Sequence, residues 1–385
     1  MVEEAGALAG VDPTALAPKV RALLGEPTAV VATEWSCLPL GGGAGEGLGL
    51  YRMSGSAHVG DAIRPWALVL KVCALADGTD PGAWGYPARE GNAYGLGLLD
   101  DLPGGLVAPH CLAVETQPDG TSWLWLEAIT DAHPGPWPRA RYAQVARVLG
   151  RFNGAYLAGM PLPDQPWLSQ GWLRSWVESA EPFLTELERL ADHGGPPALD
   201  QLYPPPVIVE LRRLWTERER FLSVLDRLPQ TFCHQDAFRR NLMHRAGPAG
   251  DQLVAIDWAY AGRGAVGEEL VELVLGSLFM FEAPGIRPHE LEAACMAPYV
   301  AGLRESGWAG DDRLVRLGFT AAAALRFTVG VVRLLVPGVT DPARHPMLEA
   351  LFGRPFAEVL EGWAGLWPYQ FALAEEARAL LAAGG

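Results

Sequence analysis

Within "FCHQDAFRRNLMHR" (232–245), His234, Asp236 and Asn241 are spaced H-x-D-x-x-x-x-N, and twelve residues further on "AIDW" carries Asp257. The runs "NLMHR" and "QLVAID" are joined by "AGPAGD", which predicts an antiparallel hairpin. If Arg245 faces Gln252, the register sets Asn241 opposite Ile256, immediately beside Asp257. A carboxylate and a carboxamide oxygen converging in this way suit Mg²⁺, a hard cation that takes one or two protein oxygens plus substrate phosphates. Asp236, one short loop upstream, is then placed to meet an acceptor hydroxyl.

The elements that must position these residues fall into two halves. A short leading helix is read in "DPTALAPKVRALLG", with Asp12 as N-cap, Pro13 at the first helical position and Gly25 as stop. Strands follow in "TAVVATEWSCLPL", "GLGLYRMSGS" and "PWALVLKVCAL"; later, "CLAVETQ" and "TSWLWLEAI" flank the turn residues "PDG". Between these sets, "AWGYPAREGNAYGLGLLDDLP" (83–103) reads as a helix despite its glycines. Past "TDAHPGPWP" (130–138) the apolar spacing turns to three and four, the helical period. The expected organisation is α+β: a strand-rich N-terminal lobe over 1–129, a linker over 130–138, and a helical lobe over 139–385 that holds the hairpin. Two lobes imply a cleft, a usual location for a small-molecule site.

Composition narrows the class of function. The net charge of −15 argues against a nucleic-acid surface, which needs clustered Lys and Arg. Five scattered cysteines, Cys37, Cys73, Cys111, Cys233 and Cys295, form no C-x-x-C pair, so a reducing cytoplasm is expected, without a disulfide framework. The start "MVEEAGALAG" lacks the basic and apolar regions of a signal peptide. The longest apolar stretch, "GFTAAAALRFTVGVVRLLVPG" (318–338), contains Arg326 and Arg333 and reads as a buried core helix, with no membrane partner. Only Lys19 and Lys71 are lysines among 30 basic residues, so a lysine that survives points to a need for a compact ammonium.

H-x-D-x-x-x-x-N followed by an I-D-aromatic strand resembles the catalytic and metal-binding segments of the aminoglycoside phosphotransferase and choline kinase family, relatives of the protein kinases. The likeness extends to a strand lysine (Lys71 in "LVLKV"), a helix glutamate (Glu90 in "REGNAYGLGLL") and a hairpin leading into the linker. The resemblance implies a bilobal kinase-like fold and a magnesium-dependent kinase using ATP, with GTP left open. Lys71 would hold the α- and β-phosphates, oriented by Glu90, and backbone groups of Glu127, Ala128 and Ile129 would meet adenine. Asp236 would orient or deprotonate the acceptor, Asn241 and Asp257 would bind Mg²⁺, and His234 would brace the loop. "PLGGGAGEGLGLY" (39–51) stands where a phosphate-covering loop belongs, without a strict G-x-G-x-x-G, and "IDWAY" is not D-F-G.

Two rival readings stand beside this one. One is a metal-dependent hydrolase built on His234, Asp236, His244 and Asp257; the other is a kinase-like binding or regulatory protein without turnover. For the acceptor, Trp172, Trp176, Glu268, Glu269 and Glu272 are candidate pocket residues. Their acidic and aromatic character favours an amine-bearing or cyclic polyol acceptor, although Glu268 and Glu269 also suit the N-terminal dipole of a helix after Gly267. The resemblance allows aminoglycosides and other antibiotics, choline-like amines and sugars, and so includes antibiotic resistance among the roles.

Overall fold

Along the strand Ala62–Cys73, buried and half-buried side chains alternate, with Trp66, Leu68, Leu70 and Val72 on the buried face. Period-two alternation puts Lys71 on the opposite face from this core. The strand is the third of a five-stranded antiparallel sheet in the computed structural model, which describes residues 11–40, 47–74, 78–247 and 250–383. The sheet comprises β1 (Val30–Pro39), β2 (Gly47–Val59), β3 (Ala62–Cys73), β4 (Cys111–Thr116) and β5 (Ser122–Glu127), in the order β1-β2-β3-β5-β4. Helix α1 (Pro13–Leu24) lays Leu16 and Val20 on its core face, against Met53, Leu68 and Trp125. Its ends follow the sequence: Asp12 accepts from the Ala15 amide at 2.9 Å, and Gly25 closes it at φ 65°.

The helix expected over 83–103 is only α2, Arg89–Gly95. Glycine ends it, since the chain turns at Gly97 with φ 70°, a conformation most side chains avoid. The chain divides into two compact units: one gathers residues up to Thr79, Pro87–Asp101 and Val107–Thr130, and the other Asp80–Tyr86, Leu102–Leu106 and everything from Asp131. Segments 80–86 and 102–106 therefore belong to the second unit, although they fall within 1–129 in sequence. Of the expected phosphate-covering loop, residues 41–46 lie outside the described residues.

The second unit is mainly helical. Its framework includes α3 (Arg139–Leu157), α4 (Trp172–Glu178), α5 (Pro205–Arg227), α6 (Glu269–Val271) and α7 (Pro288–Glu305). Helices α8 (Asp312–Leu325) and α9 (Val332–Thr340) follow. Between α5 and α6 come β6 (Gln230–Cys233), the hairpin β7 (Leu242–Arg245) and β8 (Gln252–Ala255), and β9 (Gly262–Ala265), which pairs antiparallel with β6. The hairpin has the expected register, with Arg245 opposite Gln252. Two π-helical turns interrupt the helices: Glu272–Gly276 continues α6, and Arg326–Gly330 links α8 to α9. Among the described residues one stretch, Asp312–Thr340, is long and apolar enough to cross a membrane, but 89% of its most apolar window is buried inside the protein. It is the buried core helix that the two arginines suggest.

Candidate active site

The loop leaving β6 is held by buried polar contacts. His234 is fully buried, and its Nδ1 accepts from the Asp236 amide at 3.2 Å. That leaves the proton on Nε2, which donates to the Ile256 carbonyl at 2.9 Å and so ties the loop to the end of the hairpin. Below it, the Glu269 carboxylate accepts from the amides of His234 (2.6 Å) and Gln235 (3.2 Å). Gln235 at φ 66° and Asp257 at φ 63° are two of the three non-glycine residues with positive φ among the described residues. Backbone held in this sparsely populated region, by contacts on every side, concentrates at working sites.

Asn241 closes the loop from the other end. Its Nδ2 donates to Asp236 Oδ2 at 2.7 Å and to the Asp236 carbonyl at 3.0 Å. Its own carbonyl accepts from the Ile256 amide at 2.9 Å, one residue before Asp257. Both donations from one amide nitrogen turn the Asn241 Oδ1 away from Asp236, and Asp257 follows directly on the partner strand.

Asp236 lies beside a second carboxylate and an arginine. Burial, then repulsion from Glu272 and Asp257, pushes its pKa well above the usual carboxylate range, against the pull of Arg326. Arg326 Nη2 stands 3.9 Å from Asp236 Oδ1 and donates to the Gln235 carbonyl at 2.5 Å, while its Nε lies 2.9 Å from Glu272 Oε2. Glu272 and Arg326 each open one of the two π-helical turns. A π turn shifts the side chains that follow it relative to the α-helical face, a device common at functional sites.

Around Arg326 is an aromatic cluster. Its guanidinium stacks 4.1 Å from the centre of the Trp172 ring, and Trp176 donates its indole N–H to the Arg326 carbonyl at 3.4 Å. Trp172 and Trp176 stack at 5.3 Å. Trp84, carried by segment 80–86, packs edge-on against Trp176 and Tyr260. Gly330 permits this closeness, since a Cβ there would lie 2.3 Å from the Trp176 Nε1.

In the first unit, Lys71 and Glu90 form an ion pair at 2.5 Å, with Glu90 2% exposed. The amides of Glu127 and Ala128 are engaged in the sheet, donating to the carbonyls of His110 (3.0 Å) and Ala67 (3.3 Å). The three glutamates expected in the acceptor pocket are buried and have partners inside the protein. Glu269 holds the loop, Glu268 accepts from the Ala265 amide (2.9 Å) and from Gln235 Nε2 (3.3 Å), and Glu272 pairs with Arg326. Trp172 is 1% exposed and is chiefly a core residue, on which Arg326 rests.

The hydrolase reading does not fit. His244 packs edge-on against His133 and Trp137, and burial, with Arg141 nearby, pushes its pKa down to about 4. Among the described residues no group of three or more His, Cys, Asp or Glu could hold a metal. What the sequence did not reveal is Arg326, Arg333, Trp84 and Tyr260. A signal was present: two arginines stand in an otherwise apolar helical run, and a buried run tolerates charge only when it is paired or put to use.

Glu269→Ala is expected to cost about 3 kcal/mol of stability, because two buried amides lose their acceptor. Glu269→Gln keeps one acceptor oxygen and should cost about half as much. Urea unfolding of the two variants, read beside wild type, checks the ranking.

Residues 96–314, more than half of the chain, match the phosphotransferase enzyme family. No curated protein matches the chain. Among solved structures, a choline/ethanolamine kinase family protein from Mesorhizobium loti is 17% identical, covers 99% of this chain and 98% of its own, and superposes with a TM-score of 0.50. An ethanolamine kinase from Plasmodium vivax is 12% identical over 88% of this chain and 83% of its own, also at 0.50. These likenesses concern the fold, a kinase-like one with a β-rich N-terminal and a mainly helical C-terminal part. The chain belongs to the phosphotransferase enzyme family.

Proposed function

We propose that the enzyme transfers the γ-phosphoryl group of ATP to a hydroxyl of a small molecule. The acceptor oxygen bonds to the γ-phosphorus, the bond from that phosphorus to the bridging oxygen breaks to release ADP, and the hydroxyl proton passes to Asp236. The observation that carries this reading is the Asp236–Asn241 hydrogen bond at 2.7 Å, at the end of a hairpin whose other strand runs into Asp257.

Asn241 Oδ1 and the Asp257 carboxylate make a two-oxygen set, the number Mg²⁺ takes from protein when phosphates and water complete its shell. The residues fit such an ion, carried in with the nucleotide. When bound, Mg²⁺ neutralises charge on the phosphate oxygens. Lys71, oriented by Glu90, holds the α- and β-phosphates, and backbone groups of the stretch from Glu127 to Ile129 meet adenine. His234 and Glu269 keep the loop fixed, so that Asp236 need not reorganise during transfer. In this reading the enzyme works in the cytoplasm, where ATP is present and its five free cysteines remain reduced.

The test is turnover of a hydroxyl-compound library with the full chain and Mg·ATP, followed by mass spectrometry. A product heavier by one phosphoryl group, formed one-for-one with ADP and abolished by EDTA, is expected. ADP release without any phosphorylated acceptor, or product formation that survives EDTA, would overturn the assignment.

A further inference from the structure

The peptide that joins Gln235 to Asp236 is bonded on both edges. Its N–H donates to His234 Nδ1 at 3.2 Å, and its carbonyl accepts from Arg326 Nη2 at 2.5 Å. Gln235 itself is fully buried at φ 66°. Its amide donates to Glu269 Oε1 at 3.2 Å and its side-chain Nε2 to Glu268 Oε1 at 3.3 Å. A Cβ at Gly264 would lie 2.5 Å from that Nε2, so the glycine leaves room for it. Asp236 is the next residue, and the orientation of this peptide sets the point from which its carboxylate projects.

Arg326 is built to make this contact. It is 5% exposed and opens the π-helical turn Arg326–Gly330, and one face of its guanidinium lies 4.1 Å from the centre of the Trp172 ring. Stacking takes the face of a guanidinium and leaves its N–H donors in the plane, pointing from the edge. All three nitrogens lie against protein oxygens: Nε 2.9 Å from Glu272 Oε2, Nη2 on the Gln235 carbonyl, and Nη1 3.5 Å from Gln235 Oε1. Gly276 makes room for the Glu272 carboxylate, since a Cβ there would stand 2.7 Å from its Oε1. Nη2 lies 3.9 Å from Asp236 Oδ1, beyond hydrogen-bond distance. With its nitrogens directed at the protein, this guanidinium is suited to hold the loop rather than to grip a substrate.

We propose that Arg326 is a positioning residue for phosphoryl transfer: its guanidinium, aimed by Glu272 and Trp172, fixes the Gln235–Asp236 peptide and so the place of the Asp236 carboxylate. This rests on the kinase reading above, in which Asp236 takes the acceptor proton. A reacting group misplaced by about 1 Å costs on the order of 100-fold in rate. Lys71 holds the nucleotide in that reading, so loss of the tie falls on kcat rather than on KM for ATP.

The experiment uses the full chain with Mg·ATP and the best acceptor of the library screen. Arg326→Gln, Arg326→Lys and the double variant Glu272→Gln/Arg326→Gln are each made in the wild-type and the Asp236→Asn backgrounds. Glutamine reaches only as far as the Nε it replaces, which leaves the Gln235 carbonyl without its donor. The second substitution removes the buried carboxylate that a neutral residue 326 strands, and so protects the fold. In the wild-type background the glutamine variants should lose about 10- to 100-fold in kcat, with KM for ATP within about 2-fold. Arg326→Lys, whose ammonium extends one bond further, should recover part of the loss. In the Asp236→Asn background the same substitutions should cost less than about 3-fold, because the group being positioned is already gone. Hydrogen exchange of peptides spanning 232–241 should be faster in Arg326→Gln than in wild type. An equal fold loss in both backgrounds, a raised KM for ATP with kcat unchanged, or wild-type kcat in a folded glutamine variant would each overturn the proposal. A wild-type chain that phosphorylates no acceptor would instead remove the kinase reading, and unaltered loop exchange in Arg326→Gln would then overturn the tie by itself.

Discussion

Asp236→Asn is expected to lower kcat by a factor on the order of 10² or more while KM for ATP changes little, the loss typical of a positioned acid–base group. The amide cannot take the acceptor proton, yet it has nearly the same shape and can still bond with Asn241, which reaches Asp236 Oδ2 at 2.7 Å. The variant should also be no less stable than wild type. Burial and the neighbouring Glu272 and Asp257 carboxylates disfavour the ionised aspartate and raise its pKa in the folded state. A carboxylate with a raised folded pKa costs stability at neutral pH, above its unfolded value, and a neutral amide removes that cost. Stopped-flow or steady-state turnover beside a thermal melt separates the two effects. Near wild-type kcat in the variant would remove Asp236 from the proton-transfer role.

Much of this arrangement was legible in the sequence because it is local. His234, Asp236 and Asn241 lie within one loop, and the apolar alternation of the hairpin fixes the register that brings Asn241 beside Ile256 and Asp257. The sheet was legible for the same reason, with turns marked by residues such as "PDG" and faces marked by a period of two. Contacts made across long sequence distances were not. Arg326 lies 90 residues from Asp236, and no local pattern says that its Nε pairs with Glu272 or that its face rests on Trp172. Trp84 stands in a stretch read as part of the helix over 83–103, but segment 80–86 clusters with the second unit.

The acidic trio shows how composition misleads at a site. Glu268, Glu269 and Glu272 within five residues read as a patch for a cation, but in the fold Glu268 and Glu269 accept from backbone amides and Glu272 lies against Arg326. The chain's lysine scarcity is similarly two-sided. Lys19 is 7% exposed, pairs with Glu115 at 2.7 Å and sits 4.7 Å from the Trp125 ring centre. That lysine holds α1 to the sheet, so rarity alone marks a demanding environment rather than catalysis.

Lys71 has the further property that its partner is on a different element and nearly sealed from water. Glu90 on α2 is 2% exposed, and the pair is closed at 2.5 Å. Lys71→Arg preserves the charge, and arginine is what this chain uses at 28 of its 30 basic positions, so a merely structural Lys71 should accept it. A phosphate-holding Lys71 should not. The guanidinium is planar and wider, and it cannot place one compact charge both against Glu90 and toward the phosphates. The expected result is loss of turnover, or a rise in KM for ATP of at least about 100-fold, given that charge-assisted hydrogen bonds contribute 1.5–3 kcal/mol each and more than one is misplaced. Circular dichroism and a thermal melt should show a folded protein. Lys71→Met makes the complementary test: it leaves the buried Glu90 carboxylate without this lysine and should lower stability as well as activity. Unchanged ATP kinetics in a folded Lys71→Arg enzyme would place the phosphate grip elsewhere in the first unit.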